Sequence, residues 1–209
     1  MILPGWGGPA DDYIPLQIKL ASRGYRVILP DFPGFGDSPV KYIRPEEWGK
    51  WIEDLAVASI GQREFIIFSH SGGGWIAFKY LKENRSNFCK GVVFLSPGLF
   101  FPWQSFFWKI IRIPFCFFAP FIFPKMKWVR NKKMMATAQA FLIPPEKHTQ
   151  IKAACTVFLS GRDPIKNLSS GWKRISGCKI KKFDWDHSPQ LRATNELVDA
   201  IDDFIKRLV

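Results

Sequence analysis

A serine stands between an apolar run and a helical pattern, in the segment Ser69-His70-Ser71-Gly72-Gly73. The residues two before and two after Ser71 are small, which a nucleophile on a sharp strand-to-helix turn requires because the neighbouring backbone passes close by. Ser71 would then project above the end of the strand, at the positive end of the helix. The same serine could instead serve only as a helix N-cap, a position that serine favours.

A serine hydroxyl is a weak nucleophile, so it needs a base and a third group that orients the base. The sequence holds three histidines, His70, His148 and His187. His70 would point away from the reaction centre of its neighbour, and His148 lies in a polar stretch typical of solvated residues. His187 lies between the last predicted strand and the last predicted helix, at the edge where open parallel sheets place their sites. We therefore predict His187 as the base.

The carboxylate that orients the base should also lie just past a strand. Asp163 does so, although a turn residue before a proline would have the same pattern. Asp184 and Asp186 are closer to His187 in the chain, but neighbours in such a loop rarely aim at one another's ring nitrogens. We predict Asp163 as the orienting acid, with Asp184 and Asp186 as its rivals.

The elements that would hold these residues alternate between strand and helix. Apolar runs predict strands at Leu3 and at residues 25–30, 64–69, 91–96, 156–160 and 179–183. Helical spacing predicts helices at residues 13–22, 45–61 and 75–82, and a last helix that begins at Ser188 and Pro189. Its predicted inner stripe is Leu191, Leu197, Val198, Ile201, Phe204, Ile205 and Leu208. This alternation favours an α/β domain with a mostly parallel sheet covered by helices on both faces.

One interval differs from the rest of the chain in both charge and aromatic content. The net charge is +12, from 30 Lys and Arg against 18 Asp and Glu, yet no acidic residue occurs between Glu83 and Glu146. The same interval is dense in Phe and Trp. This shift predicts an insertion at residues 99–145 in a core formed by residues 1–98 and 146–209. The insertion would be a helical lid whose aromatic side chains cover a pocket.

A basic and aromatic segment has other possible roles. It could touch an anionic membrane surface as well as form a lid, or it could bind nucleic acid. We favour the lid with solvated cations, allow a weak peripheral contact with anionic membrane, and expect no nucleic acid partner. Three aromatic residues of the insertion are our candidates for substrate binding: Phe100, Trp103 and Phe107.

Composition also narrows the class of protein. Aromatic residues make up 16% of the chain, far more than an intrinsically disordered chain carries. The cysteines Cys89, Cys116, Cys155 and Cys178 are scattered, so we predict small buried thiols in a reducing compartment rather than disulfides or a zinc site. The start shows no secretory signal, and the most apolar window is shorter than the ~20 residues of a membrane-spanning helix. We expect a cytoplasmic protein without a metal or cofactor.

Five segments, in this order, resemble those of the α/β-hydrolase-fold serine hydrolases. They are Leu3-Pro-Gly-Trp-Gly-Gly8, Asp31-Phe-Pro-Gly-Phe-Gly-Asp-Ser38, Ser69-His-Ser-Gly-Gly73, Ser160-Gly-Arg-Asp163 and Asp186-His-Ser-Pro189. They follow the family's order of nucleophile, acid and base. The long interval between Ser71 and Asp163 is where this family carries its cap. The resemblance covers nearly the whole chain and implies an esterase-like member with a short cap.

The resemblance also implies roles for particular residues. Ser71 would attack a carbonyl carbon while His187 takes its proton, and Asp163 would hold the imidazole ring. The backbone N–H groups of Trp6 and Gly72 would bind the oxyanion. A water activated by the same histidine would release the acyl group. We expect a small carboxylic ester with a hydrophobic acyl or alkyl group as substrate.

The chain departs from the family's pattern in two places. Pro4 stands where relatives often have a histidine before the first glycine, which leaves the backbone donor at Trp6 in place. Relatives also carry a β-hairpin and a full strand before this loop, whereas here the chain starts at the loop. We expect either a shortened sheet of about six strands or a start codon further upstream, and favour the second.

Several other functions are compatible with the same sequence. A serine nucleophile argues against relatives that use an aspartate there, such as haloalkane dehalogenases and epoxide hydrolases. Gly7, Gly8 and Pro9 are faintly similar to the loop of proline iminopeptidases, whose full motif is absent. Carbon–carbon bond hydrolases share the same three residue types. A non-catalytic, membrane-associated binding protein on this fold is the alternative from a different class.

Overall fold

A single parallel sheet organises the computed structural model, which describes residues 1–83, 87–97, 133, 149–163 and 175–208. The strands are β1 (Ile2–Leu3), β2 (Phe65–His70), β3 (Cys89–Leu95), β4 (Thr149–Ser160) and β5 (Ile175–Phe183). They lie side by side in the order β1-β2-β3-β4-β5, and each neighbouring pair is parallel. The predicted α/β class with a parallel sheet is confirmed.

Helices and short 3₁₀ turns connect and cover these strands. The α-helices of the described residues are α1 (Ile14–Ala21), α2 (Trp48–Ile60), α3 (Gly72–Lys82) and α4 (Asn195–Lys206). The same described part of the chain also forms 3₁₀ turns at Ala10–Tyr13, Pro45–Glu47 and Pro189–Leu191. None of these helices is both long and apolar enough to cross a bilayer. The predicted insertion at residues 99–145, with Phe100, Trp103 and Phe107, lies outside the described residues except for Lys133.

Each face of the sheet has its own hydrophobic core. Successive side chains of a strand point to opposite faces. On β3, Val92 and Phe94 pack in the cluster that contains the buried side chains of α2 and α3. Val93 and Leu95 pack in the other cluster, with the buried side chains of α1 and α4. Burial on both faces explains the apolar run at residues 92–95 of β3, in which every side chain is buried.

The predicted strand at residues 25–30 is wrong. The segment runs beside β1, and the Ile28 carbonyl accepts a hydrogen bond of 2.8 Å from the Ile2 amide, but it is not a strand of the sheet. Its neighbour β1 contains two residues only, which leaves little backbone for a further strand to pair with. Residues 25–30 are half-buried or exposed rather than fully buried.

The last helix begins later than predicted. Pro189–Leu191 forms a separate 3₁₀ turn, and Ala193 has a φ of 42°, which breaks the helical path. Thr194 then caps α4 by accepting a hydrogen bond from the Leu197 amide. Because of this break, Leu191 does not belong to the inner stripe and is 48% exposed. The rest of the predicted stripe does pack in the core, with Ile205 and Leu208 partly buried.

The prediction of free thiols is wrong for two cysteines. Cys155 on β4 and Cys178 on β5 are partners in the parallel register, with Cα atoms 4.7 Å apart, and form a disulfide. Scattered positions in the chain conceal such a pair because strand pairing, not sequence distance, brings the two sulfur atoms together. Cys89 is a free, buried thiol, and Cys116 lies outside the described residues.

Candidate active site

The loops that carry the predicted site residues all follow the carboxyl ends of strands. β1 leads to Trp6, β2 to Ser71, β4 to Asp163 and β5 to His187. Because these strands are parallel members of one sheet, the four loops meet along the same edge. The topology therefore brings together residues that are far apart in the sequence.

Ser71 occupies the sharp turn between β2 and α3. Its backbone has φ 46° and ψ −120°, a conformation that L-residues rarely adopt and that costs about 1–3 kcal/mol. The Ser71 amide donates a 3.0 Å hydrogen bond to the Leu95 carbonyl, and α3 begins at the next residue, Gly72. The turn is thus anchored to β3 on one side and to a helix on the other.

The small residues around Ser71 are needed because β1 passes directly beside the turn. A Cβ atom on Gly73 would lie 2.2 Å from the Pro4 carbonyl oxygen and 2.6 Å from that of Leu3. Ser69 is fully buried and donates a hydrogen bond of 3.1 Å from its hydroxyl to the Val93 carbonyl. The obstacle to larger side chains is therefore main chain, which cannot rotate away.

The side chains of Ser71, His187 and Asp163 form a continuous hydrogen-bonded line. His187 Nε2 is 3.2 Å from Ser71 Oγ, and His187 Nδ1 is 2.7 Å from Asp163 Oδ2. The Asp163 carboxylate can only accept, so Nδ1 carries the proton and Nε2 is left to accept from the serine hydroxyl. The Asp163 side chain is 4% exposed and that of His187 is 29% exposed. Deprotonation of Ser71 by His187 is what this geometry favours.

The two rival aspartates are directed elsewhere. Asp184 pairs with Arg162, with 3.3 Å between the guanidinium Nε and the carboxylate. Asp186 accepts a hydrogen bond of 3.1 Å from the Ser188 amide and lies 3.3 Å from the guanidinium of Arg192. Both carboxylates therefore pair with arginines, and Asp186 also binds the backbone of its own loop. His148 lies outside the described residues.

The two predicted oxyanion donors lie in adjacent loops. Leu3 on β1 pairs with Ser69 on β2, so the loop that contains Trp6 follows β1 beside the turn that contains Gly72. Gly72 is the first residue of α3, and the amides of a first helical turn have no partner within the helix. The positive end of the helix also favours an anion there.

An aromatic cluster that we did not predict holds the loop after β1. The Trp6 ring contacts those of Phe35, Trp48 and Phe32, with centroids 5.0, 5.7 and 6.5 Å away. Phe32 and Phe35 belong to the segment at residues 31–38 that the resemblance had already marked. Aromatic residues at a glycine-rich turn were the available signal for this packing.

Asp31 also has a structural role that the sequence analysis did not predict. Its carboxylate accepts hydrogen bonds from the amides of Ala10, at 3.2 Å, and Asp37, at 3.0 Å. Gly36, with φ +48°, lies so close that a Cβ atom would be 2.2 Å from that carboxylate. Asp31 therefore ties the loop at residues 31–38 to the chain that follows Trp6.

The His70 side chain is buried, and its ring nitrogens lie within hydrogen-bond distance of Tyr13, Gln190 and the backbone of His187. His70 Nε2 is 2.8 Å from the backbone oxygen of His187, and the residue is 4% exposed. Burial, together with the nearby His187, lowers the pKa of His70 to about 3. Its imidazole is therefore neutral at the pH of ordinary assays.

The described residues contain no group of His, Cys, Asp and Glu side chains arranged to hold a metal ion.

Solved structures of hydrolases share the fold over almost the whole chain. An esterase from Thermogutta terrifontis is 16% identical with a TM-score of 0.71, the match covering 99% of this chain and 89% of the esterase. A monoacylglycerol lipase from Paleococcus ferrophilus is 19% identical with a TM-score of 0.66, covering 100% and 93%.

The sequence comparisons point to the same group. A haloalkane dehalogenase from Mycobacterium marinum is 32% identical over an alignment of 120 residues, and the match covers 49% of this chain. The chain spans 38% of the length of that relative. The family model for the alpha/beta hydrolase fold matches residues 1–115, from β1 through the turn at Ser71 and beyond β3. The chain therefore belongs to the alpha/beta hydrolase family.

Proposed function

We propose that this chain hydrolyses a carboxylic ester through an acyl-enzyme on Ser71. The observation that supports the proposal most strongly is the line from Ser71 Oγ to His187 Nε2, at 3.2 Å, and from His187 Nδ1 to Asp163, at 2.7 Å. Such a line supplies the base and the orienting acid that a serine hydroxyl needs. The strained backbone of Ser71 supports the same role.

The chemistry would proceed in two stages. Ser71 Oγ forms a bond to the ester carbonyl carbon as its proton passes to His187 Nε2, and Asp163 stabilises the resulting imidazolium. His187 then gives that proton to the leaving alcohol as the C–O bond breaks. A water attacks the acyl-enzyme, His187 takes a proton from it, and the acid departs as Ser71 regains its proton.

The charge that develops on the carbonyl oxygen would be bound by backbone N–H groups. We assign this role to Trp6 and Gly72, whose loops lie side by side after β1 and β2. Each donor of this kind contributes about 3 kcal/mol to transition-state stabilisation. The ring contacts of Trp6 would keep its amide in place during the reaction.

A hydrophobic ester is the proposed substrate. Support comes from the aromatic insertion at residues 99–145, where Phe100, Trp103 and Phe107 would line the acyl or alkyl pocket. No cofactor enters this mechanism, since every proton transfer uses groups of the chain and a water. Carbon–carbon bond hydrolysis and aminopeptidase-like activity use the same residue types and are the alternatives within the fold.

Dehalogenation is the competing reaction suggested by the relative from Mycobacterium marinum. Displacement of a halide from carbon by a carboxylate gives an ester, which water can hydrolyse. The same displacement by the Ser71 hydroxyl would give an ether, which has no carbonyl carbon for water to attack. A serine at this position therefore favours acyl transfer over dehalogenation.

A fluorophosphonate probe tests the nucleophile directly. We expect the native protein to be labelled at Ser71, as located by peptide mass spectrometry, and Ser71→Ala to remain unlabelled. Ser22→Ala is the matched control, because Ser22 is exposed and lies at the end of α1. Equal labelling of native protein and Ser71→Ala would overturn the assignment, and a non-catalytic binding protein would show no labelling at all.

A series of p-nitrophenyl esters tests the substrate class. If the aromatic insertion forms the acyl pocket, kcat/KM should rise by about fourfold for each added methylene until the pocket is filled, since burying a methylene is worth about 0.8 kcal/mol. A flat profile, or activity on acetate alone, would contradict a hydrophobic pocket. A 1-haloalkane in place of the ester should release no halide.

The location and the membrane contact are proposals from the sequence. The sequence predicts a cytoplasmic protein whose basic insertion makes weak peripheral contact with anionic membrane. The Cys155–Cys178 disulfide favours an oxidising compartment instead, because disulfides are rare in reducing ones. Fractionation of cells under thiol-blocking conditions would decide both the compartment and the state of these two cysteines.

A further inference from the structure

A buried chain of hydrogen bonds runs from the loop after β1 to the backbone of His187. The Gly5 amide donates to the Tyr13 hydroxyl, with 2.6 Å between the nitrogen and the oxygen. The same hydroxyl is 2.6 Å from His70 Nδ1, and His70 Nε2 is 2.8 Å from the His187 carbonyl oxygen. Tyr13 is 2% exposed and His70 is 4% exposed, so water does not compete with these bonds.

The partners at the two ends set the direction of every bond in this chain. The His187 carbonyl can only accept, so His70 Nε2 carries the proton. His70 Nδ1 is then an acceptor and receives the hydroxyl hydrogen of Tyr13. The Tyr13 oxygen in turn receives the Gly5 hydrogen. One tautomer of His70 therefore satisfies all the groups at once.

The surroundings leave this arrangement little freedom. A Cβ atom on Gly5 would lie 3.0 Å from His70 Nδ1 and 3.3 Å from the Tyr13 hydroxyl, so the loop is seated directly on the pair. The amide nitrogen of Gln190 also lies 3.4 Å from His70 Nδ1. The rings of His70 and His187 have centroids 4.9 Å apart.

We propose that Tyr13 and His70 are a positioning pair that sets the distance between the Trp6 amide and the His187 imidazole. The proposal rests on the proposed function, in which these two groups act on opposite sides of one carbonyl. Gly5 directly precedes Trp6, so holding the Gly5 amide holds the donor next to it. At the other end, the bonded carbonyl belongs to His187 itself. Misplacement by about 1 Å can lower a rate by two orders of magnitude.

Tyr13→Phe tests the link, with Tyr80→Phe as the matched control. Tyr80 is 1% exposed and its hydroxyl donates to Glu53 at 2.9 Å, between α3 and α2. Both variants lose one buried phenolic hydroxyl, but only Tyr13 touches the chain to His187. For Tyr13→Phe, kcat per site titrated with fluorophosphonate should fall about tenfold with little change in KM. Tyr80→Phe should keep kcat within about twofold of the native value, even if its Tm falls as much as that of Tyr13→Phe.

A merely structural role would lower Tm and the titrated fraction in Tyr13→Phe but leave kcat per titrated site unchanged. That result would overturn the proposal. Two substitutions of His70 provide a second measurement. His70→Gln keeps a donor for the His187 carbonyl and an acceptor for Tyr13, whereas His70→Leu keeps neither. We expect His70→Gln to retain at least about threefold more kcat than His70→Leu, and equal losses would assign His70 to packing alone.

Nuclear magnetic resonance separates this proposal from the proposed function. In Tyr13→Phe, the ring signals of His187 and the amide signal of Trp6 should both shift, whereas Tyr80→Phe should move neither. If no ester is cleaved and no probe is bound, the function of the site is wrong, yet these shifts still report the link. Unchanged signals at both residues in Tyr13→Phe would overturn the positioning role whatever the activity.

Discussion

The Asp163 carboxylate lies 2.7 Å from His187 Nδ1, whereas Asp184 and Asp186, nearer in the chain, bind arginines. Asp163 comes from the end of β4 and His187 from the end of β5. The adjacent parallel strands therefore bring the carboxylate to the side of the ring that faces away from Ser71. A carboxylate from the same loop as His187 would have to fold back on its own backbone.

Asp163→Asn should nearly abolish hydrolysis without unfolding the protein. An amide in place of the carboxylate would favour the wrong tautomer of His187, and in comparable sites this costs about 10⁴-fold in kcat. Asp184→Asn is the control, because its side chain is 85% exposed and pairs with Arg162. Initial rates on a p-nitrophenyl ester would measure both. A comparable loss in Asp184→Asn would contradict the assignment of the acid.

Gly73→Ala should destabilise the fold and the site together. The new Cβ atom would lie 2.2 Å from the Pro4 carbonyl oxygen, so β1 must shift, and overpacking of this kind costs about 1–3 kcal/mol. Gly8→Ala is the control in the same region, because its nearest neighbour would be at 3.6 Å, an ordinary contact. Urea unfolding would compare the free energies of unfolding of the two variants. Equal values would contradict the prediction, because they would show that β1 can move aside at little cost.

The neutral, buried His70 should make stability fall in acid. Its pKa is lowered to about 3 by burial, below the value of about 6.5 in the unfolded chain, so only the unfolded state takes up this proton between those values. Stability is therefore fully present above about pH 6.5 and declines as the pH falls towards 3, by up to about 1.4 kcal/mol per unit.

Unfolding by urea at several pH values, in the native protein and in His70→Gln, isolates this contribution. Between about pH 6 and pH 5 the native protein should lose about 1 kcal/mol more than the variant. The carboxylates titrate equally in both proteins and cancel in the difference. Parallel curves would show that His70 is protonated in the folded state.

The disulfide between β4 and β5 should support the stability of this part of the sheet. Its two cysteines have a sequence separation of 23. Closing a loop of that length lowers the conformational entropy of the unfolded chain, which stabilises the folded state by about 3 kcal/mol. Reduction, or replacement of Cys155 and Cys178 by serine, should lower the free energy of unfolding by that order. Alkylation of the unreduced, denatured protein should leave Cys155 and Cys178 unmodified, and modification of either would contradict the bond.

Vesicle co-sedimentation tests the proposed contact of the basic insertion with membrane. Anionic vesicles should bind the protein at low salt and release it at high salt, because the Debye length shrinks to about 3 Å at 1 M. Neutral vesicles are the control and should bind little at either salt. Absence of binding to anionic vesicles at low salt would contradict the membrane contact and show that the cations of the insertion are simply solvated.

Local patterns in the sequence were sufficient for the fold class and for the turn at Ser71. Apolar runs that alternate with helical spacing predict a parallel sheet buried on both faces, and small residues beside Ser71 predict the close passage of another strand. These features depend on neighbours in the chain. The preference for Asp163 also came from a local pattern, its position directly after a predicted strand. The general rule that the carboxyl ends of parallel strands share one edge then placed it near His187.

Tertiary structure decided what depends on contacts between distant segments. The pairing of Cys155 with Cys178, and the chain from Gly5 through Tyr13 and His70 to His187, arise from the packing of elements that no local pattern relates. Likewise, the exposure of Leu191 follows from the break before α4. Propensity and periodicity report how one segment folds. Strand register and the orientation of buried side chains emerge only when all segments share one core.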